Sequence, residues 1–195
     1  MPVAKNIKPH FFKKPSEFNT WLKKNHESAE ELIVGFYKKA SKKPSMTWSE
    51  SVDEALCYGW IDGITRNIDE ESFCIRFTPR RLTSVWSIVN INKVAVLTKE
   101  GRMHASGLKA FQARKENKTG IYAFEQKNTD LNPAQLKLFK SHKEAWAFFE
   151  TQPPSYRKTA TWWVISAKQE ATRSRRLETL IDDSENGLRL KQLRR

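Results

Sequence analysis

The spacing of apolar residues changes along the chain and predicts strands only in its first half. Three runs there are rich in β-branched and aromatic residues and are bounded by turn-forming residues, which is typical of strands. They are residues 31–37, 60–68 and 72–77. The last two are joined by Asp69, Glu70 and Glu71, which predicts a turn between them. The pattern therefore predicts a small antiparallel sheet of about three strands.

Helical spacing dominates the rest of the sequence. A first helix is predicted to begin at Pro15, and after the third strand the pattern stays helical to the end. Asn90 is predicted to cap a helix that stops at Gly101. Later helices are predicted at residues 105–116, 133–139, 142–151, 154–168 and 170–184. The fold class is therefore α+β and mainly helical, with the sheet in the N-terminal half.

One of the predicted helices has a specific start. Thr47 and Glu50 stand three residues apart, which is the spacing of a capping box. The apolar residues that follow share one helical face, and we expect Asp53 and Glu54 to face away from it. Gly59 lies near the expected end of this helix, where a glycine leaves the helix at low cost.

The length of 195 residues fits one compact domain or two small ones. Along it we expect a basic lead-in at 1–14, an α+β part at 15–116, a linker at 117–132 and a helical part at 133–195. The helical part is expected to pack on the α+β part, so that the chain forms one compact unit.

The apolar runs of the sequence are too short for a membrane-spanning protein. No apolar run approaches the ~20 residues that span a bilayer, and the N-terminus lacks the apolar stretch of a signal peptide. We therefore expect a cytoplasmic protein.

Cys57 and Cys74 are the two cysteines, and a single pair predicts neither a disulfide in a reducing compartment nor a zinc site. Without a glycine-rich nucleotide motif or spaced histidine ligands, no metal and no other cofactor is expected.

The charge balance is strongly basic, with 35 Lys and Arg against 22 Asp and Glu and a net charge of +13. Such a surface attracts polyanions and small phosphorylated molecules, although it equally fits a merely solubilising role. Residues 1–45 hold ten lysines and no arginine, and all thirteen arginines lie from Arg66 onward. Because arginine suits planar anion contacts, an anion site is expected to use these later arginines.

Asp62 stands in the most unusual part of the sequence. If 60–64 is a regular strand, Trp60, Asp62 and Ile64 share one face. A carboxylate between two large apolar residues must pair with a cation or have a raised pKa. The alternative is a structural aspartate satisfied by backbone amides or by one arginine.

A second group follows the third strand. Arg80 and Arg81 lie in a predicted loop, and Trp86, Ser87 and Asn90 approach a helix start. Arginine beside aromatic and hydroxyl groups is typical of an anion or base-stacking pocket. The alternative is a structural loop in which Arg80 bonds backbone carbonyls.

A third group lies near the C-terminus. On one continuous helix, Arg173 falls in the middle of an apolar stripe and requires a partner, for which Asp62 is the predicted acid. The alternative is a helix break near Glu170, which turns Arg173 outward.

These groups together resemble the YdeI/OmpD-associated (OmdA-type) family, often called bacteriocin-protection proteins. The resemblance rests on ALCYGWIDG at 55–63, TPRR at 78–81, SVWSIVN at 84–90 and GRM at 101–103. It continues through SYR at 155–157, AK at 167–168 and TRSRR at 172–176, and covers about residues 11–180. The resemblance implies a role in bacteriocin resistance or envelope physiology, and it brings no reaction, cofactor or catalytic residue.

The sequence therefore favours a binding protein for an anionic ligand through an arginine–tryptophan pocket. The candidate ligand-binding residues are Trp60, Asp62, Arg80, Arg81, Trp86, Ser87, Asn90, Arg102 and Arg173. Three alternatives stay open: a nucleic-acid-binding protein, a protein–protein interaction module, and an enzyme that uses Asp62 with Cys57 or Ser87. The enzyme is the least favoured, because no histidine lies near in sequence to activate the nucleophile.

Overall fold

The structure is a computed structural model that describes residues 8–115 and 119–194. It is 52% helical and contains a four-stranded mixed sheet. This confirms the α+β, mainly helical class. The chain divides into two compact units, the first ending at Thr119 and the second beginning at Gly120. Parts of the predicted lead-in (1–7) and linker (117–118) lie outside the described residues.

The first unit carries the sheet and four helices among its described residues. The strands are β1 (His10–Phe11), β2 (Leu32–Tyr37), β3 (Trp60–Asn67) and β4 (Ser72–Pro79). The helices are α1 (Pro15–Asn25), α2 (Trp48–Cys57), α3 (Ile88–Lys99) and α4 (Ala105–Gln112). The capping box is confirmed, because the Thr47 hydroxyl accepts from Glu50 N while the Glu50 carboxylate accepts from Thr47 N.

The strand order is β1-β2-β4-β3, and the prediction of three antiparallel strands was one strand short. β2, β4 and β3 are antiparallel neighbours, but β1 runs parallel to β2 through the pairs His10–Val34 and Phe11–Gly35. A two-residue strand has no alternating pattern to detect, so sequence periodicity could not reveal it. The inner face of the sheet packs against α1 and α2 in one apolar core that includes Phe18, Leu56 and Phe77.

A bulge interrupts β3 and corrects the predicted face of Asp62. Asp62 pairs with Phe77, but the next register pair is Thr65 with Ile75. The alternation of faces therefore breaks between the two pairs. Trp60 is 1% exposed, whereas Ile64 is 76% exposed, so the predicted apolar face on both sides of Asp62 is wrong.

The start of α3 also differs from the prediction. The N-cap is Ser87, whose hydroxyl accepts from Asn90 N at 3.1 Å. Asn90 is the third residue of the helix rather than its cap. Both residue types are good N-caps, and local sequence could not distinguish the two positions.

The described residues of the second unit are mainly helical. The helices are α5 (Pro133–Ser141), α6 (Lys143–Thr151), α7 (Pro154–Ile165) and α8 (Glu170–Glu185). They enclose a separate apolar core around Phe139, Phe149, Val164, Leu177 and Leu180. None of the helices in the described ranges combines the length and apolar character needed to cross a membrane.

The chain leaves the helical conformation between α7 and α8, so the continuous helix assumed for Arg173 is wrong. Arg173 turns back to this break. Its Nε donates to Ala167 O at 2.7 Å, and its Nη1 lies 3.2 Å from the Glu170 carboxylate. The partner that the sequence argument required is therefore local.

Candidate functional site

Trp60 and Asp62, although close in sequence, have different surroundings. The Trp60 ring is fully buried, packs edge-on against Trp21 and donates from Nε1 to His26 O at 3.2 Å. Asp62 is half-buried and accepts a hydrogen bond from Trp48 Nε1 at 3.0 Å. Arg173 belongs to the other unit, and its pairing with Asp62 stays a prediction.

The predicted arginine–tryptophan group is brought together as a stack. The Arg80 guanidinium lies 3.8 Å from the centre of the buried Trp86 ring, and Nη1 donates to Val85 O at 3.3 Å. Trp86 in turn packs edge-on against Phe111 of α4. Arg81 is exposed beside this stack. Arg80 therefore bonds a backbone carbonyl, as the structural alternative for this loop requires.

A polar network that the sequence did not indicate lies between α1, α2 and the loop after α3. The Glu54 side chain is at its centre, and this residue is only 6% exposed. One carboxylate oxygen accepts from Asn19 Nδ2 at 2.6 Å, and the other accepts from Arg102 Nη2 at 2.8 Å. The Tyr58 hydroxyl donates to Asn19 Oδ1 at 3.3 Å. Asn19 and Arg102 are therefore held in place by a buried charge, which is costly to leave unpaired, and Tyr58 joins the network through Asn19.

Tyr58 is also held by two histidines. The rings of His26, Tyr58 and His104 lie with their centres 4.9–5.1 Å apart. His26 Nδ1 donates to Leu22 O at 2.9 Å, and His104 Nδ1 caps α4 by accepting from Ser106 N. Because both histidines are anchored to helix ends, the Tyr58 hydroxyl has a restricted position.

Charge and burial set the protonation of this network. Burial alone would lower the pKa of Arg102, but Glu100 and Glu54 raise it above its ordinary value, so the guanidinium stays charged. Burial, with smaller contributions from Cys57 and Glu54, raises the pKa of Tyr58, so its hydroxyl remains a donor.

Burial also keeps the Cys57 thiol protonated. Burial, followed by the Glu54 charge, raises the pKa of its thiol to about 11. A nucleophilic cysteine needs a lowered pKa and access to substrate, and the fully buried Cys57 has neither. Ser87 is engaged as the N-cap of α3. The geometry therefore does not favour the alternative of an enzyme using these residues.

A groove opens over the network. We call it the α1 groove; its volume is about 740 Å³ and it is lined by Lys14, Pro15, Ser16, Asn19, Thr20, Glu54, Tyr58 and Arg102. This volume is within the range of small-molecule sites. α1 begins at this groove with no side-chain cap, so the positive end of the helix dipole lies at the groove.

A second concavity of about 470 Å³ lies on the outer face of the sheet, between β2, β3 and β4. Its Arg76 is already paired with Glu31 at 2.6 Å, and both side chains are about half exposed. No buried polar network of described residues underlies it. The α1 groove is therefore the better candidate, because its polar groups are held in place from beneath.

Of the sequence-predicted site residues, Arg102 alone lines the α1 groove. Asn19, Glu54 and Tyr58 were missed, and the prediction that Glu54 faces away was wrong. One signal could have found it. Ser51, Glu54 and Tyr58 are spaced three and four apart and extend the apolar face of α2 sideways, so a wider buried face would include them.

Two different families match the chain, one mostly in the first unit and one in the second. Residues 10–110 match the family described as "Domain of unknown function (DUF8412)". Residues 130–187 match the family described as "Bacteriocin-protection, YdeI or OmpD-Associated" (OmdA). The OmdA resemblance is thereby confirmed for residues 130–187 of the second unit. The predicted coverage of residues 11–180 was too long, because the motifs at 55–103 lie in the stretch that matches DUF8412. No curated protein and no solved structure matches the chain.

Proposed function

The chain belongs to the DUF8412 family, and we propose that its first unit binds a small polar anion, a phosphate or carboxylate, in the α1 groove. The observation that carries this proposal is the buried Glu54, which fixes Arg102 and Asn19 at the base of the groove, and Tyr58 through Asn19. Fixed donors bind without the entropy loss of ordering flexible side chains.

The charges around the groove favour an anion. Lys14 and Arg102 are the cations of the lining, and Arg102 is already ion-paired with Glu54 at 2.8 Å and with Glu100 at 3.1 Å. The positive end of α1 adds to the same field. Glu17, in the first turn of α1, turns back to accept from Lys13 N at 2.8 Å and is not part of the lining. Because Arg102 is already paired, Lys14 and the positive end of α1 supply the positive charge that the groove presents to a ligand.

Side chains with hydroxyl groups also line the α1 groove. Ser16, Thr20 and Tyr58 line the groove, and Thr20 Oγ1 donates to Ser16 O at 2.8 Å, which leaves its lone pairs as acceptors. Such groups suit a polar, hydroxyl-bearing body rather than an apolar one. The ligand class is therefore a small phosphorylated or carboxylated polar molecule.

The cellular role that we propose is bacteriocin protection in the cytoplasm. It rests on the OmdA match of residues 130–187. Binding in the α1 groove would then be the molecular activity that the protein contributes to protection. Survival of cells that lack the protein, challenged with bacteriocin and complemented with wild type or groove variants, tests this link.

Binding itself is tested by calorimetry of the full chain with inorganic phosphate, citrate and acetate at low salt. Lys14→Gln removes a groove charge, whereas Lys13→Gln removes the neighbouring charge outside the lining. We expect Lys14→Gln to weaken binding about fivefold, equal to ~1 kcal/mol for one partly solvated ion contact, and Lys13→Gln to change it little.

Two results would contradict the proposal. If none of the three anions binds, or if both lysine variants weaken binding equally, the α1 groove is not the site. A nucleic-acid-binding protein would instead bind duplex or single strands with a steep dependence on salt.

A further inference from the structure

We propose a second ligand site, in the second unit: a cavity of about 360 Å³ that binds a small molecule with a carboxylate on a flat apolar body. The cavity lies between α6, the first turns of α7 and the segment before α5. The residues that carry the argument are Asp130, Trp146, Phe149, Arg157, Lys158 and Thr161. It is a different site from the α1 groove and takes a different ligand.

Arg157 is the reason to expect a ligand. Its Nε is buried, and it has no hydrogen-bond partner among the described residues. The part of the chain that the structure describes also offers it no ion pair. Burying a guanidinium donor without a partner is unfavourable, and a bound acceptor would offset that cost. This contrasts with Arg173 and Arg176, which donate to Ala167 O and Trp163 O.

The neighbouring charges leave the site positive. Lys158 lines the same cavity, and its Nζ reaches Phe124 O at 3.3 Å. Asp130 is the acid of the lining, and it forms no ion pair with either cation in the described ranges. Two cations against one carboxylate favour an anionic ligand over a neutral one.

The apolar side chains that line the cavity indicate the shape of the uncharged part of the ligand. Trp146 and Phe149 line the cavity, and their ring centres lie 5.8 Å apart. Leu131 and Leu136 add aliphatic surface, and Thr161, one turn after Arg157, adds a hydroxyl. Apolar and aromatic walls with a few polar groups are typical of small-molecule pockets of this size.

Arginine geometry selects carboxylate as the charged group. The Nε and one Nη of a guanidinium present two parallel N–H donors, which match the two oxygens of a carboxylate. A carboxylate seated against the Arg157 guanidinium gives it an acceptor while the flat body lies against Trp146. The inferred class is therefore an arylcarboxylate or a compound of similar shape.

Benzoate is the simplest probe, and the full chain is titrated with it by nuclear magnetic resonance. The indole N–H signal of Trp146, assigned from its loss in Trp146→Phe, should shift and saturate. Benzyl alcohol has the flat body without the charge, and inorganic phosphate has charge without the body. We expect both to bind roughly tenfold more weakly than benzoate, the factor of one good charge-assisted contact.

The matched variants are Arg157→Gln and Arg175→Gln. Arg175 is exposed on α8 and lies outside the cavity lining. Arg157→Gln should weaken benzoate binding roughly tenfold and Arg175→Gln should leave it unchanged, because only Arg157 faces the carboxylate. Arg157→Lys should recover part of the affinity.

Several outcomes would overturn the inference. They are an Arg157→Gln variant that binds as wild type does, equal affinities for benzoate and benzyl alcohol, equal affinities for benzoate and phosphate, and no shift at all with benzoate. The two ligand comparisons use the wild-type protein, so they decide the question even if Arg157→Gln fails to fold. If no anion binds in the α1 groove, the results expected here do not change, because the residues of that groove lie in the other unit.

Discussion

Gly107 lies where α4 meets the C-terminal end of α2, and Gly107→Ala is a sharp test of this packing. A Cβ atom there would stand 2.2 Å from Cys57 O and 2.7 Å from Leu56 O. Ordinary contacts begin at 3.4 Å, so α4 must move by about 1.2 Å. Such a shift would break the 2.9 Å hydrogen bond from His104 N to Cys57 O.

Two effects of opposite sign compete in this substitution. Alanine in place of glycine inside a helix stabilises it by about 1 kcal/mol. Overpacking against backbone atoms costs ~1–3 kcal/mol, and the lost hydrogen bond costs about 1 kcal/mol more. The clash with Cys57 O is the larger effect, because backbone cannot move aside as a flexible side chain can. We therefore expect the free energy of unfolding to fall by about 2 kcal/mol.

Urea unfolding of the full chain, followed by tryptophan fluorescence, measures the change. Lys109→Ala is the control, since this exposed side chain on the same helix should alter stability by less than about 0.5 kcal/mol. A Gly107→Ala protein that is as stable as wild type, or more stable, would refute the close packing of α4 on α2. Helix propensity would then be the dominant effect.

Two further predictions concern the buried thiol and the arginine stack. Because the pKa of Cys57 is raised from 9.0 to about 11, the unfolded state loses its proton first, and stability should fall as the pH rises through this window. Thermal unfolding between pH 8 and 11 measures the slope, and Cys57→Ala should flatten it; an unchanged slope would argue against a buried thiol. Arg80→Lys keeps the charge but loses the planar stack on Trp86 and should cost about 1 kcal/mol in urea unfolding. Arg81→Lys is its exposed control, and equal effects of the two substitutions would contradict a structural role for Arg80.

Local sequence was sufficient wherever the determining interactions are local. Thr47 and Glu50 predicted the start of α2 because a capping box joins atoms only three residues apart. The strands 32–37 and 72–79 and the described helices of the second unit followed from the same kind of signal, since residue spacing reports which face is buried. The boundary errors, such as Asn90 for Ser87 at α3, arose where two residues within one turn could serve equally as caps.

The candidate sites depended on contacts that no local pattern encodes. Glu54 reaches Asn19 across 35 residues and Arg102 across 48, so its burial is visible only once α1, α2 and the loop after α3 are assembled. Arg157 was visible in the sequence only as part of a family motif. Its lack of a partner is a property of the cavity around it.

What the sequence by itself determined is therefore the fold class, the strands long enough to show a period, most helices and the OmdA resemblance. The tertiary structure decided the parallel pairing of β1, the bulge after Asp62, and which polar groups are buried with or without partners. The physical reason is the range of the interactions. Propensity and periodicity act within a few residues, whereas burial and charge pairing join residues that only the folded chain brings together.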